Sequence, residues 1–314
     1  MNPRVEFDLS ILKDNIYKLK TNTNNINFLF PIKCCNHPKV LKIVIDNNFG
    51  FDISNKNEFK LIEKYLNNQF ISVSSPLSYE LSNCKYHNIH IISNNFSTFK
   101  ENNGIRINFN SNPNFTYSRF GIDYKLINED LRHKITYLHI HNSDHKNLKL
   151  CMHIYKEIEN IIKYFPNLKS LNIGGHLEDL SFDEGIDYLN TIRKIVPNNI
   201  NIFTELGDFL FKNVGTLYSK VIDIRKDENI QIVTLNFSKM ASQRWAYPEY
   251  VTNKKKLINT IFFGCSCCET DIYLETQAEE LNIGDEVIFK NISPYSYQWN
   301  TTFNGIEKMD YIFK

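Results

Sequence analysis

No stretch of the 314-residue chain approaches the roughly 20 consecutive apolar residues that a membrane-spanning helix needs. The opening MNPRVEFDLS also lacks the basic-then-apolar order of a secretory signal. An excess of one charge is missing as well: 36 Lys and Arg against 35 Asp and Glu leave a formal net charge of +1. Neither a nucleic-acid backbone nor an anionic membrane is therefore indicated as the main partner. The seven cysteines are odd in number and irregularly spaced, which suits reduced thiols better than a disulfide framework, and a cytoplasmic location is expected. No internal repeat is visible. The Asn- and Ile-rich texture of TNTNNINFLF and NNINIF is not that of a disordered chain, because apolar residues still recur at structured intervals. The length suffices for a large α/β domain, alone or with a smaller companion, and for a core that lets it fold unaided.

Eight short runs read as strands: NFLFPIK, FGFDIS, QFISVSS, IHIIS, GIRINFN, TYLHIH, SLNIGG and NIFTEL. Most are β-branched or aromatic and close on a polar residue or glycine. Between several of them lie segments such as NKNEFKLIEKYLNN and NLKLCMHIYKEIENIIKYF, whose apolar positions recur every three or four residues, as on one face of a helix. The alternation predicts a (β/α)8 TIM-like barrel over residues 9–213, with an open doubly wound sheet as the competing architecture. From Val214 the texture changes. GTLYSKVIDIRK, IQIVTLNFS, DIYLE and DEVIFKNI are closely spaced strand-like runs without helices between them, so residues 214–314, joined by 1–8, are expected to form an antiparallel β-domain.

In a barrel the polar residues that end the strands gather at one rim, where chemistry is sited. Lys33, Asp52, His141, Gly174, Gly175 and Glu205 occupy such ends. Lys33, in FPIKCCNHPKVL, is either a lysine whose stem lies along the wall with its ammonium in water or a Schiff-base lysine awaiting an aldehyde. Gly174 and Gly175 either let backbone N–H groups approach a phosphate or form a plain turn before a helix. Glu205 is a helix-cap or surface carboxylate, or the partner of a pyridine nitrogen. His141 is a hydrogen-bonded core residue, or an imidazole stacked on that ring.

In chain order, FPIKCCNHPKVL, GFDISNKNEFKLI, SRFGI, LHIHN, LNIGG, TELG, GCSCCETD, NIGDEVIFKN and YSYQWNTTFNGI resemble the successive signatures of the fold-type III pyridoxal-phosphate (PLP) decarboxylases. That family includes the ornithine, diaminopimelate and carboxynorspermidine decarboxylases, and the resemblance runs from Val5 to about Ile306. TTFNG beside YSYQW, and a cysteine followed four residues later by Asp271, look most like the carboxynorspermidine branch. The resemblance implies an alanine racemase-like barrel that binds pyridoxal 5'-phosphate. Lys33 would be its Schiff-base lysine, His141 the stacking imidazole, Glu205 the ring-nitrogen partner, and Gly174, Gly175 and Tyr295 the phosphate cradle. Asp52 and Glu58 would orient Lys33, and Arg119 would lie near the cofactor and the subunit contact. It further implies a homodimer with shared active sites acting on a small amino-acid or aminocarboxypropyl substrate. In that dimer Cys267 reprotonates the carbon that loses CO2, Asp271 holds a substrate amine and Phe303 packs on the partner's pocket. A zinc site in GCSCCETD is the competing reading, but no second cysteine or histidine pair stands at ligand spacing and no metal is expected.

The sequence departs from the family pattern in several places. The phosphate loop reads Gly174-Gly175-His176 where relatives carry three glycines; Leu206 replaces a proline, Asp208 an arginine and Cys268 an acid. In NFSKMASQRWAYPEY, Arg244 and Trp245 stand where polyamine-type members carry an acid for a distal ammonium. An arginine and an indole favour a phosphate, a carboxylate or a stacked base. A tailoring decarboxylase similar to that of microcin C maturation, acting on an aminocarboxypropyl peptide-nucleotide, is therefore an alternative. A racemase of the same fold and a non-catalytic PLP carrier are two others; retention of both Lys33 and Cys267 argues against the last.

Overall fold

In the computed structural model, residues 2–100, 103–108, 119–141, 148–243, 245 and 247–314 are described. The chain divides into two compact units, residues 16–209 and residues 1–15 with 210–314. The first strand, β1 (Arg4–Phe7), belongs to the second of these.

Residues 16–209 hold eight parallel strands in a closed ring: β2 (Ile26–Pro31), β3 (Gly50–Ile53), β4 (Ile71–Val73), β5 (Ile89–Ser93), β6 (Gly104–Ile107), β7 (Tyr137–Ile140), β8 (Ser170–Asn172) and β9 (Asn201–Glu205). β9 closes on β2 with Glu205 opposite Leu29. Seven of the strands fall within runs read from the sequence, β2 starts one residue before its run, at Ile26, and the open-sheet alternative is excluded by the closure. Helices flank the barrel unevenly. Pro38–Asp46, Lys56–Ile62, Glu129–Lys134, Leu148–Tyr164 and Phe182–Ile195 are α-helical, but only single 3-10 turns, Ser78–Leu81 and Phe96–Thr98, follow β4 and β5. Those connections carry no run of apolar residues at helical spacing, so there is no face to bury and a turn suffices.

The ring has a layered interior. Phe70, His90 and Phe203 stack at its N-terminal end, with centroids 4.2 and 4.1 Å from Phe70, and Tyr137 meets Phe70 edge-on. Above this aromatic plug the inward positions turn polar: Ser72, His139, Asn172, Asp52 and Glu205 are all buried. Most buried polar groups are paired, and here Ser72, Asn172, Asp52 and Glu205 all take part in side-chain hydrogen bonds.

The other unit is an eight-stranded sheet. Beside β1 it contains β10 (Gly215–Asp227), β11 (Ile230–Leu235), β12 (Glu249–Tyr250), β13 (Ile258–Phe263), β14 (Ile272–Ala278), β15 (Glu286–Lys290) and β16 (Asp310–Phe313), ordered β12-β15-β10-β11-β13-β14 with β1 joining β10 to β16. Most pairs are antiparallel, as the texture after Val214 suggests, but β1–β16 and β11–β13 are parallel. Alternating burial along β10 and β11 packs Leu217, Val221, Val233 and Leu235 to one side.

Candidate active site

Lys33 stands just past the C-terminal end of β2. Ile32 N donates to Asp52 O (3.0 Å) and Cys34 N to Pro31 O (2.9 Å), so the residue is carried on a turn locked to β3. Its Nζ lies 3.1 Å from Asp52 Oδ2 while the side chain stays 44% accessible, leaving the amine both anchored and reachable. Asp52 is buried, and its other oxygen accepts Ser74 Oγ at 2.8 Å. Burial alone would lower the lysine's pKa, but the carboxylates of Asp52 and Glu205 outweigh it and hold it raised. Burial, followed by repulsion from Glu205, raises Asp52. Asn55 caps the next helix by accepting Asn57 N and Glu58 N, which turns the Glu58 carboxylate back onto Ser54 N (2.6 Å). Burial raises Glu58 too. The two thiols beside Lys33 are inert: burial pushes Cys35 up to about 12 and Cys34 well above its ordinary value.

Glu205 ends β9 at the same rim. Its Oε1 accepts Asn172 Nδ2 at 2.8 Å and lies 3.1 Å from His139 Nε2; its Oε2 lies 3.1 Å from His141 Nδ1. Burial would push this carboxyl up, but the two imidazoles, His139 foremost, hold it well below the usual range, so it is an anion. Burial likewise keeps His141 well below 6.5, so its imidazole is neutral. Arg106, on β6 and only 8% exposed, donates Nη2 to His141 O at 2.8 Å. Two cations, Lys33 and Arg106, thus face two buried acids, Asp52 and Glu205.

The β8 end supplies a cradle. Gly174 has φ +66°, and a Cβ there would come 2.7 Å from Ile140 O; one on Gly175 would run into Glu205 O. Only glycine fits such an approach. His176, where a third glycine stands in the family, also takes a left-handed φ of +62°, a conformation that strains a non-glycine residue by about 1 kcal/mol. Asn172 ties cradle to carboxylate, since its Oδ1 accepts Gly174 N (2.9 Å) while its amide serves Glu205. An anchored amine, an anionic carboxylate, a neutral imidazole and a backbone cradle at one rim match the four faces of a phosphorylated pyridine aldehyde, so these residues fit PLP. The ligand atoms of His139, His141 and Glu205 also lie within 4.8 Å of one another, a set that a transition metal could use.

The remaining sequence-expected residues lie elsewhere. Arg119 is exposed and lies over the Phe120 ring, 4.6 Å from its centroid, and Arg106 lies over the same ring at 4.7 Å. Arg244 falls outside the described residues. Cys267, Asp271, Tyr295, Trp245 and Phe303 belong to the sheet unit. Cys267 is exposed in the β13–β14 loop, with its N donating to Asn304 Oδ1 (3.3 Å), which ties it to the turn carrying the 45% exposed Phe303. Trp245, at φ +54°, meets Tyr295 and Trp299 edge-on at 5.3 and 5.5 Å. Asp271 is fully buried; its oxygens accept Met240 N (3.3 Å) and Ser266 N (3.1 Å). Those bonds let it order the β13–β14 loop. Sequence reasoning missed His139, Asn172, Arg106 and Ser74. The first was discoverable, because a residue two before His141 on a strand shares its face.

No protein-family model matches the chain. It is 25% identical over 311 residues to the carboxynorspermidine/carboxyspermidine decarboxylase of Campylobacter jejuni, spanning 85% of this chain and 80% of the relative. Among solved structures, diaminopimelate decarboxylase from Helicobacter pylori complexed with L-lysine superposes with a TM-score of 0.79 at 17% identity, covering 100% of this chain and 92% of that one. Carboxynorspermidine decarboxylase from Campylobacter jejuni complexed with norspermidine gives 0.74 at 20% identity, covering 100% and 94%. No described helix is long and apolar enough to cross a membrane.

Proposed function

We propose that this chain, an enzyme whose homologues and structure neighbours are fold-type III PLP-dependent decarboxylases, removes the α-carboxylate of an L-amino-acid centre on a 3-amino-3-carboxypropyl group, as in carboxynorspermidine. The observation that carries this reading is the rim itself: an amine paired with a buried acid at the end of β2, opposite a buried anionic carboxylate flanked by imidazoles at the end of β9. The similarity to the Campylobacter relative supports the substrate class.

When bound, PLP supplies an electron sink for the pair released as CO2 departs. The chain's own residues make that sink usable. Lys33 would hold the cofactor through its aldehyde, and Asp52, itself fixed by Ser74, sets the direction of the amine and offsets its positive charge. Glu205 stays anionic and can keep a proton on the ring nitrogen, while neutral His141 offers a flat face without competing for that proton. Gly174 and Gly175, lacking side chains, would let the backbone at the β8 end come close to the phosphate. Cys267, exposed, is assigned as the donor whose Sγ proton passes to the carbon that has lost its carboxylate; its approach to the substrate is proposed to come from the partner subunit of a homodimer, with Phe303 beside it. Asp271 serves by holding that loop in shape.

Purified protein incubated with PLP and, separately, carboxynorspermidine, diaminopimelate, ornithine and lysine should release CO2 fastest from the first. Preference for ornithine or lysine would overturn the substrate assignment. Borohydride should fix the cofactor's mass on Lys33, and Lys33→Ala should abolish turnover; a wild-type protein gaining no mass there would overturn the reading as a whole.

A further inference from the structure

His139 is a buried imidazole that the mechanism above leaves unused. It is 0% exposed, and neither ring nitrogen has an aligned hydrogen-bond partner among the described residues, although Nε2 lies 3.1 Å from Glu205 Oε1. An orphaned buried polar atom is costly, so its presence calls for a reason. The accounting around Glu205 supplies one. Asn172 bonds Oε1 at 2.8 Å and His141 bonds Oε2 at 3.1 Å. Each oxygen thus accepts one of the roughly two bonds open to it. If the Glu205 carboxylate turns about its soft terminal torsion to face a ring nitrogen, the present partners cannot all follow. Asn172 is held in place by Gly174 N, and His141 by the strand and by Arg106 on its carbonyl. His139 is already within bonding distance and merely out of line.

We infer that His139 is a positioning residue for Glu205, an idle partner that comes into line and holds the carboxylate when it turns from His141 toward a pyridine nitrogen. This rests on the PLP reading. A metal ion is the competing use of His139, His141 and Glu205. Lys33 and Arg106 already balance Asp52 and Glu205, so a dication would enter uncompensated, and the arrangement favours the hydrogen-bonding role.

The test uses the full-length chain, wild type beside His139→Leu and His139→Gln. Removing two unsatisfied buried atoms should leave the cofactor-free melting temperature of the leucine variant equal to wild type or higher. Its PLP affinity, titrated by the absorbance of the bound cofactor, should fall about ten- to a hundredfold, the loss expected for one hydrogen bond to a charged group. The glutamine variant, which retains an N–H donor, should recover most of that affinity. Unchanged affinity in His139→Leu would overturn the inference, as would a large drop in cofactor-free stability in both variants. So would PLP loading that zinc blocks in wild type and not in His139→Leu, since that marks a metal ligand. Failure of the PLP reading itself is separable, because wild type would then gain no borohydride-fixed mass on Lys33.

Discussion

Replacing Gly174 with alanine tests whether the β8 end is a cradle, and the size of the effect follows from two terms. The first is conformational: at φ +66° an alanine pays about 1–2 kcal/mol for the left-handed region. The second is contact. The new methyl would lie 2.7 Å from Ile140 O and 2.8 Å from His141 Nδ1, and restoring ordinary contact needs a shift of about 0.7 Å in a packed wall, worth about 1–3 kcal/mol. The sum is about 2–5 kcal/mol, or roughly 4–10 °C in Tm. Gly284 isolates the first term, since it has φ +94° with nothing within 4 Å of its would-be methyl. Gly284→Ala should lose only about 2–4 °C. Because Gly174 accepts Thr204 Oγ1 (2.8 Å) and Glu205 N (2.9 Å) on its carbonyl, a shifted loop also drags the carboxylate. Gly174→Ala should therefore weaken PLP binding about tenfold or more, while Gly284→Ala leaves it intact. Thermal melts and cofactor titrations of both variants decide the matter. If the two lose equal stability and Gly174→Ala binds PLP as wild type does, the cradle argument fails.

Acid should destabilise the cofactor-free barrel through His141. Burial depresses its pKa below 6.5, so the unfolded chain binds a proton that the folded one refuses. Stability is therefore complete above about pH 6.5 and lost as pH falls below it, by up to about 1.4 kcal/mol per pH unit. His37 and His90 act in the same direction, and His141→Asn should flatten the Tm-versus-pH curve without abolishing its slope. Asp271→Ala should cost about 2–3 kcal/mol in a denaturant melt, because the N–H groups of Met240 and Ser266 lose their acceptor; a neutral result would remove its loop-ordering role. Cys267→Ser should melt within about 1 °C of wild type, as expected for an exposed side chain. Its amine product per CO2 released should fall, and full yield would take the proton-donor role from Cys267.

The barrel was legible because each strand advertises itself twice, by a β-branched or aromatic run and by the polar residue or glycine that ends it. The same rule located Lys33, Asp52, His141, Gly174, Gly175 and Glu205. It could not see Asn172 or Arg106, whose importance arises only when eight strands close and set them against Glu205. Spacing from a cysteine reports nothing about burial, so the full burial of Asp271 is visible only in the fold. Strand β13, in INTIFF, is absent from the runs read after Val214, and its partner β11 lies parallel to it, a pairing that no hairpin signal announces. The helices missing after β4 and β5 show that barrel closure depends on the strands more than on a full complement of helices.

The pairing of β1 with β10 and β16 fixes an order of assembly. A ribosome has delivered every strand of the ring once Glu205 emerges, whereas Arg4–Phe7 must wait for Gly215 and then for Asp310–Phe313 before both edges are matched. At ordinary synthesis rates the gap is on the order of ten seconds. During that interval the first strand is a bare, apolar-faced edge. Slow translation of the final hundred or so codons should therefore expose β1 to mispairing, while the ring forms on schedule.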